Sequence, residues 1–155
     1  VQTCALPILG VVSGRVAPTS GVVQVGAQRV AELTQDPLFP DLTASAQATY
    51  EQAVGPELAV RRPLRSLGLL HPREHAKPVV LLSVGQRRRL SLAIAVATEP
   101  DLLLLDEPTN HLSLALVTEL EEAIGASPGA VVVASHDRWL RRRWEGEELS
   151  LPGVR

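Results

Sequence analysis

The chain has 155 residues, 45% of them hydrophobic and only 3% aromatic, with a formal net charge of −2. This is one domain's worth of chain with an aliphatic core, and its charge balance excludes a global electrostatic pull toward nucleic acid or a membrane surface. The single Cys4 excludes an internal disulfide framework and fits a reducing compartment, and no apolar run approaches the length of a membrane span.

In chain order, residues 1–12 are apolar, but no basic residues precede them and Pro7 interrupts them, so they do not read as a signal peptide. Residues 22–35 predict strands. Val23 and Val25 alternate with Gln24 and Gly26, a second run covers residues 29–33, and a hairpin is expected to turn near Gly26-Ala27. Residues 41–70 predict helix. Leu42, Ala46, Thr49 and Ala53 recur at helical spacing, Gly55-Pro56 breaks the run, and Leu58, Leu64, Leu67 and Leu70 continue it past an interruption at Pro63. Residues 71–75 spell H-x-x-E-H, an inverted zinc-protease spacing. Zinc would need both histidines on one helix face and a third ligand. Pro72 and Pro78 confine the segment and no third ligand is obvious, so a polar connecting loop is expected.

The densest chemistry lies in residues 82–112. Ser83 is a good N-cap for a helix in which Leu90, Ala93, Ile94 and Ala97 share a face, with Arg87, Arg88 and Arg89 in the opening turn and a stop at Glu99-Pro100-Asp101. A helix start presents free N–H groups and a positive dipole end to an anion, and Gly85 lets backbone approach a phosphate. Leu102-Leu103-Leu104-Leu105 is an unalternated apolar run, which predicts a parallel strand buried on both faces. Asp106 and Glu107 follow at its C-terminal end, where open α/β sheets hold ligands. Beyond them, Ser113 caps an expected helix with Val117, Leu120 and Ile124 on one face. Residues 130–134 predict a second buried strand, and Ser135-His136-Asp137-Arg138 leaves its end on the same sheet edge as Asp106. Arg138, Arg141, Arg142 and Arg143 form a basic cluster, read as a solvated helix face, and residues 149–151 predict a short closing strand.

Ser83-Val84-Gly85-Gln86 and Leu102–Glu107 at this separation resemble the signature motif and Walker B of an ATP-binding cassette (ABC) ATPase. Pro108-Thr109-Asn110-His111-Leu112 is similar to the ABC-F branch, whose members are soluble and usually act on ribosomes. The resemblance covers nearly everything from Leu9 onward. It implies an α/β fold, a P-loop NTPase-like ABC nucleotide-binding domain with a small helical subdomain at about 36–80. The implied cofactors are ATP and Mg²⁺. Asp106 would hold Mg²⁺ through its water shell, Gln35 would contact the metal and the attacking water, Glu107 would polarise that water, and His136 would contact the γ-phosphate. Ser83, Val84, Gly85 and Gln86 would serve the ATP of a second cassette in the same parent chain. The implied partners are that cassette and the ribosome, without direct membrane insertion, in the cytoplasm. Similar spellings bring to mind the C-terminal cassette of antibiotic-resistance ABC-F proteins.

Three features depart from the family pattern. LSVGQ stands where the consensus is LSGGQ, Ser113 where aspartate is usual, and no GxxxxGK[ST] occurs in the chain. By register that loop's lysine and hydroxyl should stand at about Ala5 and Leu6. Residues 1–8 resemble the translation of a sequencing-library adaptor, so they are set apart as a scar and residues 9–155 as a partial domain, incomplete at its phosphate loop. The intact parent is expected to be an ATPase and this chain inactive. The rival readings are the ATPase subunit of a membrane transporter, and a non-catalytic fragment or scaffold.

Overall fold

A computed structural model describes residues 5–34, 36–109, 117–118, 124 and 129–150. Its centre is a three-stranded parallel sheet in the order β1 (Val30–Leu33), β2 (Leu102–Asp106), β3 (Ala130–Ala134). Val30 pairs with Leu102 and Leu33 with Leu105 on one side, and Leu102 with Ala130 and Asp106 with Ala134 on the other. The all-leucine strand is therefore central. Apolar side chains on both faces are stable only where both faces are covered, and each fully buried leucine contributes roughly 1.5–3 kcal/mol.

Leu103 and Leu105 join a core with Leu90, Leu92, Ala93 and Ala97 of α4 (Val84–Ala97). Alternation turns Leu104 to the opposite face, where α1 (Ala5–Val12) lies against β2 and Leu9 is buried. On the α4 side the core extends into a small helical unit, α2 (Ala46–Val54) and α3 (Pro56–Arg61). Ser45 caps α2 by accepting from the Ala48 amide at 3.1 Å, and Gly55 at φ 83° makes the corner before Pro56. Tyr50 is fully buried and its hydroxyl donates to the Arg62 carbonyl.

Several expectations change. The hairpin is not formed: residues 22–27 are outside any strand, and Val22 is 85% exposed. Two alternating valines carry little burial, and β1 takes its partner from β2 instead. The buried stripe of α2 is Ala46, Thr49, Tyr50 and Val54, not Leu42, Ala46, Thr49 and Ala53. Leu42 lies before the cap and Ala53 is exposed, while Tyr50 and Val54 offer more apolar area one position over. β3 is a strand but is only partly buried, with Val132 44% exposed, and among the described residues no strand pairs with its outer edge. Residues 149–150 are not strand, and residue 151 lies outside the described residues. Of the helix expected after Ser113, Val117, Thr118 and Ile124 are helical; Ser113 and Leu120 lie outside the described residues.

Candidate functional site

The parallel register sends the carboxyl ends of β2 and β3 to one edge of the sheet, and the side chains of the candidate site leave from there. Asp106 ends β2 and Glu107 turns out of it at φ 46°, a left-handed conformation that a residue with a Cβ adopts only when its surroundings over-determine it. The Glu107 N–H still donates to the Ala134 carbonyl at 2.8 Å, so the turn is anchored to β3. Both acids are 1% exposed.

Their environments differ. Neither side-chain oxygen of Asp106 has a hydrogen-bond partner among the described residues. Burial, then the neighbouring Glu107, pushes its carboxyl above the usual carboxylate range, and the charge of Arg88 opposes this. A buried carboxylate with both oxygens unmet is costly unless something supplies positive charge, and two free oxygens beside a polar edge suit a hydrated magnesium ion. Glu107 is fully engaged. Its Oε1 lies 2.7 Å from Nδ1 of His136 and accepts from the His136 amide at 3.2 Å, and Ser135 Oγ donates to Oε2 at 3.4 Å. The His136 side chain is 74% exposed, so one end of the pair is locked inside and the other faces solvent. The expected edge of Asp106, Glu107 and His136 is therefore formed. Below it, Asp137 caps α5 (Arg138–Arg143), accepting from the Trp139 and Leu140 amides. Those N–H groups, Trp139 first, hold its carboxyl below the usual range.

Ser83 and Gln86 form a reciprocal capping box. Ser83 Oγ accepts from the Gln86 amide at 3.2 Å, and Gln86 Oε1 accepts from the Ser83 amide at 2.8 Å. The box uses the third helical N–H and leaves those of Val84 and Gly85, which no helix can satisfy internally. Ser83 and Val84 are exposed and Gly85 is half-buried, so this end of α4 faces outward.

One neighbour of the candidate site was not singled out in the sequence. Arg88, read only as part of the opening turn of α4, is 3% exposed, and its Nη2 donates to the carbonyls of Asp106 at 2.7 Å and Glu107 at 2.5 Å. Burial lowers its pKa, and the charges of Asp106, Glu107 and Asp36 oppose that. A signal existed: Arg88, Leu92 and Ala95 recur at i, i+4 and i+7, and all three are buried. On the α1 face, Arg15 pairs with Glu32 at 2.7 Å, next to the charge of Asp106.

Gln35, Asn110, His111, Leu112 and Ser113 lie outside the described residues. Thr34 Oγ1 donates to the Asp36 carbonyl at 3.3 Å across Gln35. The H-x-x-E-H run is a 3-10 turn, Pro72–Glu74, with His71 Nδ1 accepting from the Arg73 amide and His75 Nε2 against the Leu70 carbonyl at 3.0 Å. Its two imidazoles serve the backbone of the connecting loop. In the basic cluster, Arg141 pairs with Glu148 and Arg143 stacks 4.6 Å from the Trp139 ring centre.

Comparison with known proteins bears on the family and the fold. The family described as ABC transporter matches residues 8–110. The tylosin resistance ATP-binding protein TlrC of Streptomyces fradiae is 44% identical over 147 residues, covering 93% of this chain and 26% of that protein. The energy-dependent translational throttle protein EttA of Mycobacterium tuberculosis is 39% identical over 106 residues, 64% of this chain and 19% of that protein. The chain thus spans about a quarter of the first relative's length and less of the second's. A solved structure of a putative metal-chelate type ABC transporter in an inward-facing conformation shares the fold, with a TM-score of 0.64 at 24% identity over 85% of this chain and 58% of that one.

Proposed function

The chain belongs to the ABC transporter family as a cassette of ABC-F type, and from that premise we propose that the protein containing it binds and hydrolyses MgATP and acts on the ribosome. One observation carries the ATPase reading: a buried glutamate held by an outward-facing histidine, immediately after a buried aspartate whose two side-chain oxygens have no partner among the described residues.

In the proposed reaction Glu107 polarises a water, whose oxygen attacks the γ-phosphorus as the bond to the bridging β–γ oxygen breaks, giving ADP and phosphate. Catalysis of this kind is positioning and charge stabilisation. Asp106 would meet the magnesium of the substrate through water, and Gln35 would approach the same ion. His136 would lie against the γ-phosphate, with its ring oriented by Glu107. Ser83, Val84, Gly85 and Gln86 would face the nucleotide held by a second cassette, with Val84 offering its N–H although it is not glycine.

Support for the ribosome comes from the relatives, one named for tylosin resistance and the other for throttling translation. Among the described residues no helix is long and apolar enough to cross a membrane. The test is made in the full-length protein. Glu107→Gln should retain ATP while kcat falls on the order of 10²–10⁴-fold, as for loss of a general base, and the ATP-bound variant should co-sediment with ribosomes. Unchanged turnover would remove Glu107 from its role. Recovery solely in the membrane fraction with a permease would replace the ribosome with a transporter.

A further inference from the structure

We infer that Arg88 is a positioning residue for Glu107, tying the backbone that aims this carboxylate to the helix that opens with Ser83. The inference rests on the ATPase reading above and adds a residue that reading did not need.

The geometry is specific. The Asp106 carbonyl belongs to the peptide plane before the Glu107 Cα, and the Glu107 carbonyl to the plane after it. A single nitrogen, Arg88 Nη2, holds both, at 2.7 and 2.5 Å. Holding the two planes that meet at one Cα sets both backbone dihedrals there, and so sets the direction in which Cβ leaves. Glu107 needs that restraint, because its φ of 46° is unfavourable for a residue with a side chain. From this backbone the carboxylate reaches Nδ1 of His136 at 2.7 Å. The clamp is itself rigid. Arg88 is 3% exposed and lies five residues beyond the capped start of α4, about 7.5 Å along the helix axis. A shift or rotation of the Ser83 end would therefore be felt at the two carbonyls. A cation is an expensive choice for this interior position, and its Nε has no partner among the described residues. An apolar side chain would fill the same volume but could not grip the carbonyls.

The experiment compares Arg88→Met and Arg88→Lys in the full-length protein, alone and combined with Glu107→Gln. Loss of the clamp should lower kcat about 10–100-fold, the scale of a misplacement near 1 Å, and leave the KM for MgATP within about threefold. Lysine should recover part of the loss. In the Glu107→Gln background, Arg88→Met should have less than a twofold effect on the single-turnover rate, because the carboxylate it positions is gone. Without nucleotide, the Glu107 amide, bonded to the Ala134 carbonyl at 2.8 Å, should exchange with solvent at least tenfold faster in Arg88→Met while the Leu104 amide does not. Wild-type kcat in a folded Arg88→Met, a loss confined to KM, or an equal loss in the Glu107→Gln background would each overturn the proposal. If Arg88→Met does not fold, Arg88→Gln takes its place, and failure of both to fold makes Arg88 a purely structural residue. A parent that hydrolyses no MgATP with Arg88 intact would defeat the ATPase reading, not this one.

Discussion

Asp106 shows what a buried carboxylate costs the fold that carries it. It follows four leucines, is 1% exposed, and neither of its side-chain oxygens has a hydrogen-bond partner among the described residues. Burial raises its pKa, so in the range between the ordinary carboxylate value and its own the native state holds a proton that the unfolded chain has released. Stability therefore falls as pH rises through that range, and the penalty is complete once the pH passes the native pKa of Asp106. Asp106→Asn removes the charge and keeps the shape. We predict that it raises Tm at pH 7 by about 2–4 °C, equivalent to about 1 kcal/mol in a chain of this size, and abolishes magnesium-dependent nucleotide binding in the full-length protein. The stability gain should disappear below about pH 4, where wild-type Asp106 is protonated as well. Thermal melts across that range decide the matter: a gain that does not depend on pH would mean the charge is not its source.

At the scale of elements, what could be read in the sequence was set by how much local signal each segment carried. The capped start of α4 and the leucine strand were legible because a serine three residues before a glutamine, and an unalternated apolar run, each have one stable use. The strand that leads to His136 followed from the same logic, although it is only partly buried. The hairpin expected within residues 22–33 was a misreading, because two alternating valines cannot say which partner a strand will take, and β1 pairs with β2. The buried stripe of α2 was misplaced because cap and register decide a helix face together, and Ser45 begins the helix later than the apolar spacing suggests. Arg88 was hidden by its type, since arginine in an opening turn is ordinarily solvated.

The same element supports a sharper test of the Ser83 end. Gly85 sits in the first turn of α4, where a negative charge is favoured by the helix dipole by about 0.3–1 kcal/mol. Gly85→Asp should therefore leave this cassette folded. If that end serves a γ-phosphate held by another cassette, the new charge opposes it directly. Hydrolysis by the full-length protein should drop at least tenfold while nucleotide binding by the isolated, complete cassette stays within about twofold. A matching loss of binding in the isolated cassette would contradict a site shared between cassettes.

The whole molecule is organised by the order of its sheet. β2 is paired on both edges, so the leucines and the two acids at its end are shielded from other chains. β3 is paired on one edge, and no described strand lies on the other. That outer strand reads Ala-Val-Val-Val-Ala, without charge or proline, and Val132 at its middle is 44% exposed. Natural sheets guard such edges with lysine, proline or a covering segment, because a row of unpaired N–H and C=O groups beside valine recruits another strand. The 155-residue chain in isolation should therefore self-associate through β3. Val132→Lys places a charge on the edge without touching Ala134, whose carbonyl anchors Glu107. Sedimentation should show concentration-dependent oligomers for the unmodified chain and a predominantly monomeric species, with unchanged helix and strand content by circular dichroism, for the variant. Equal self-association of the two chains would locate the sticky surface elsewhere. Exposed Leu81 and Val84, beside the Ser83 end of α4, would then be the next surface to charge.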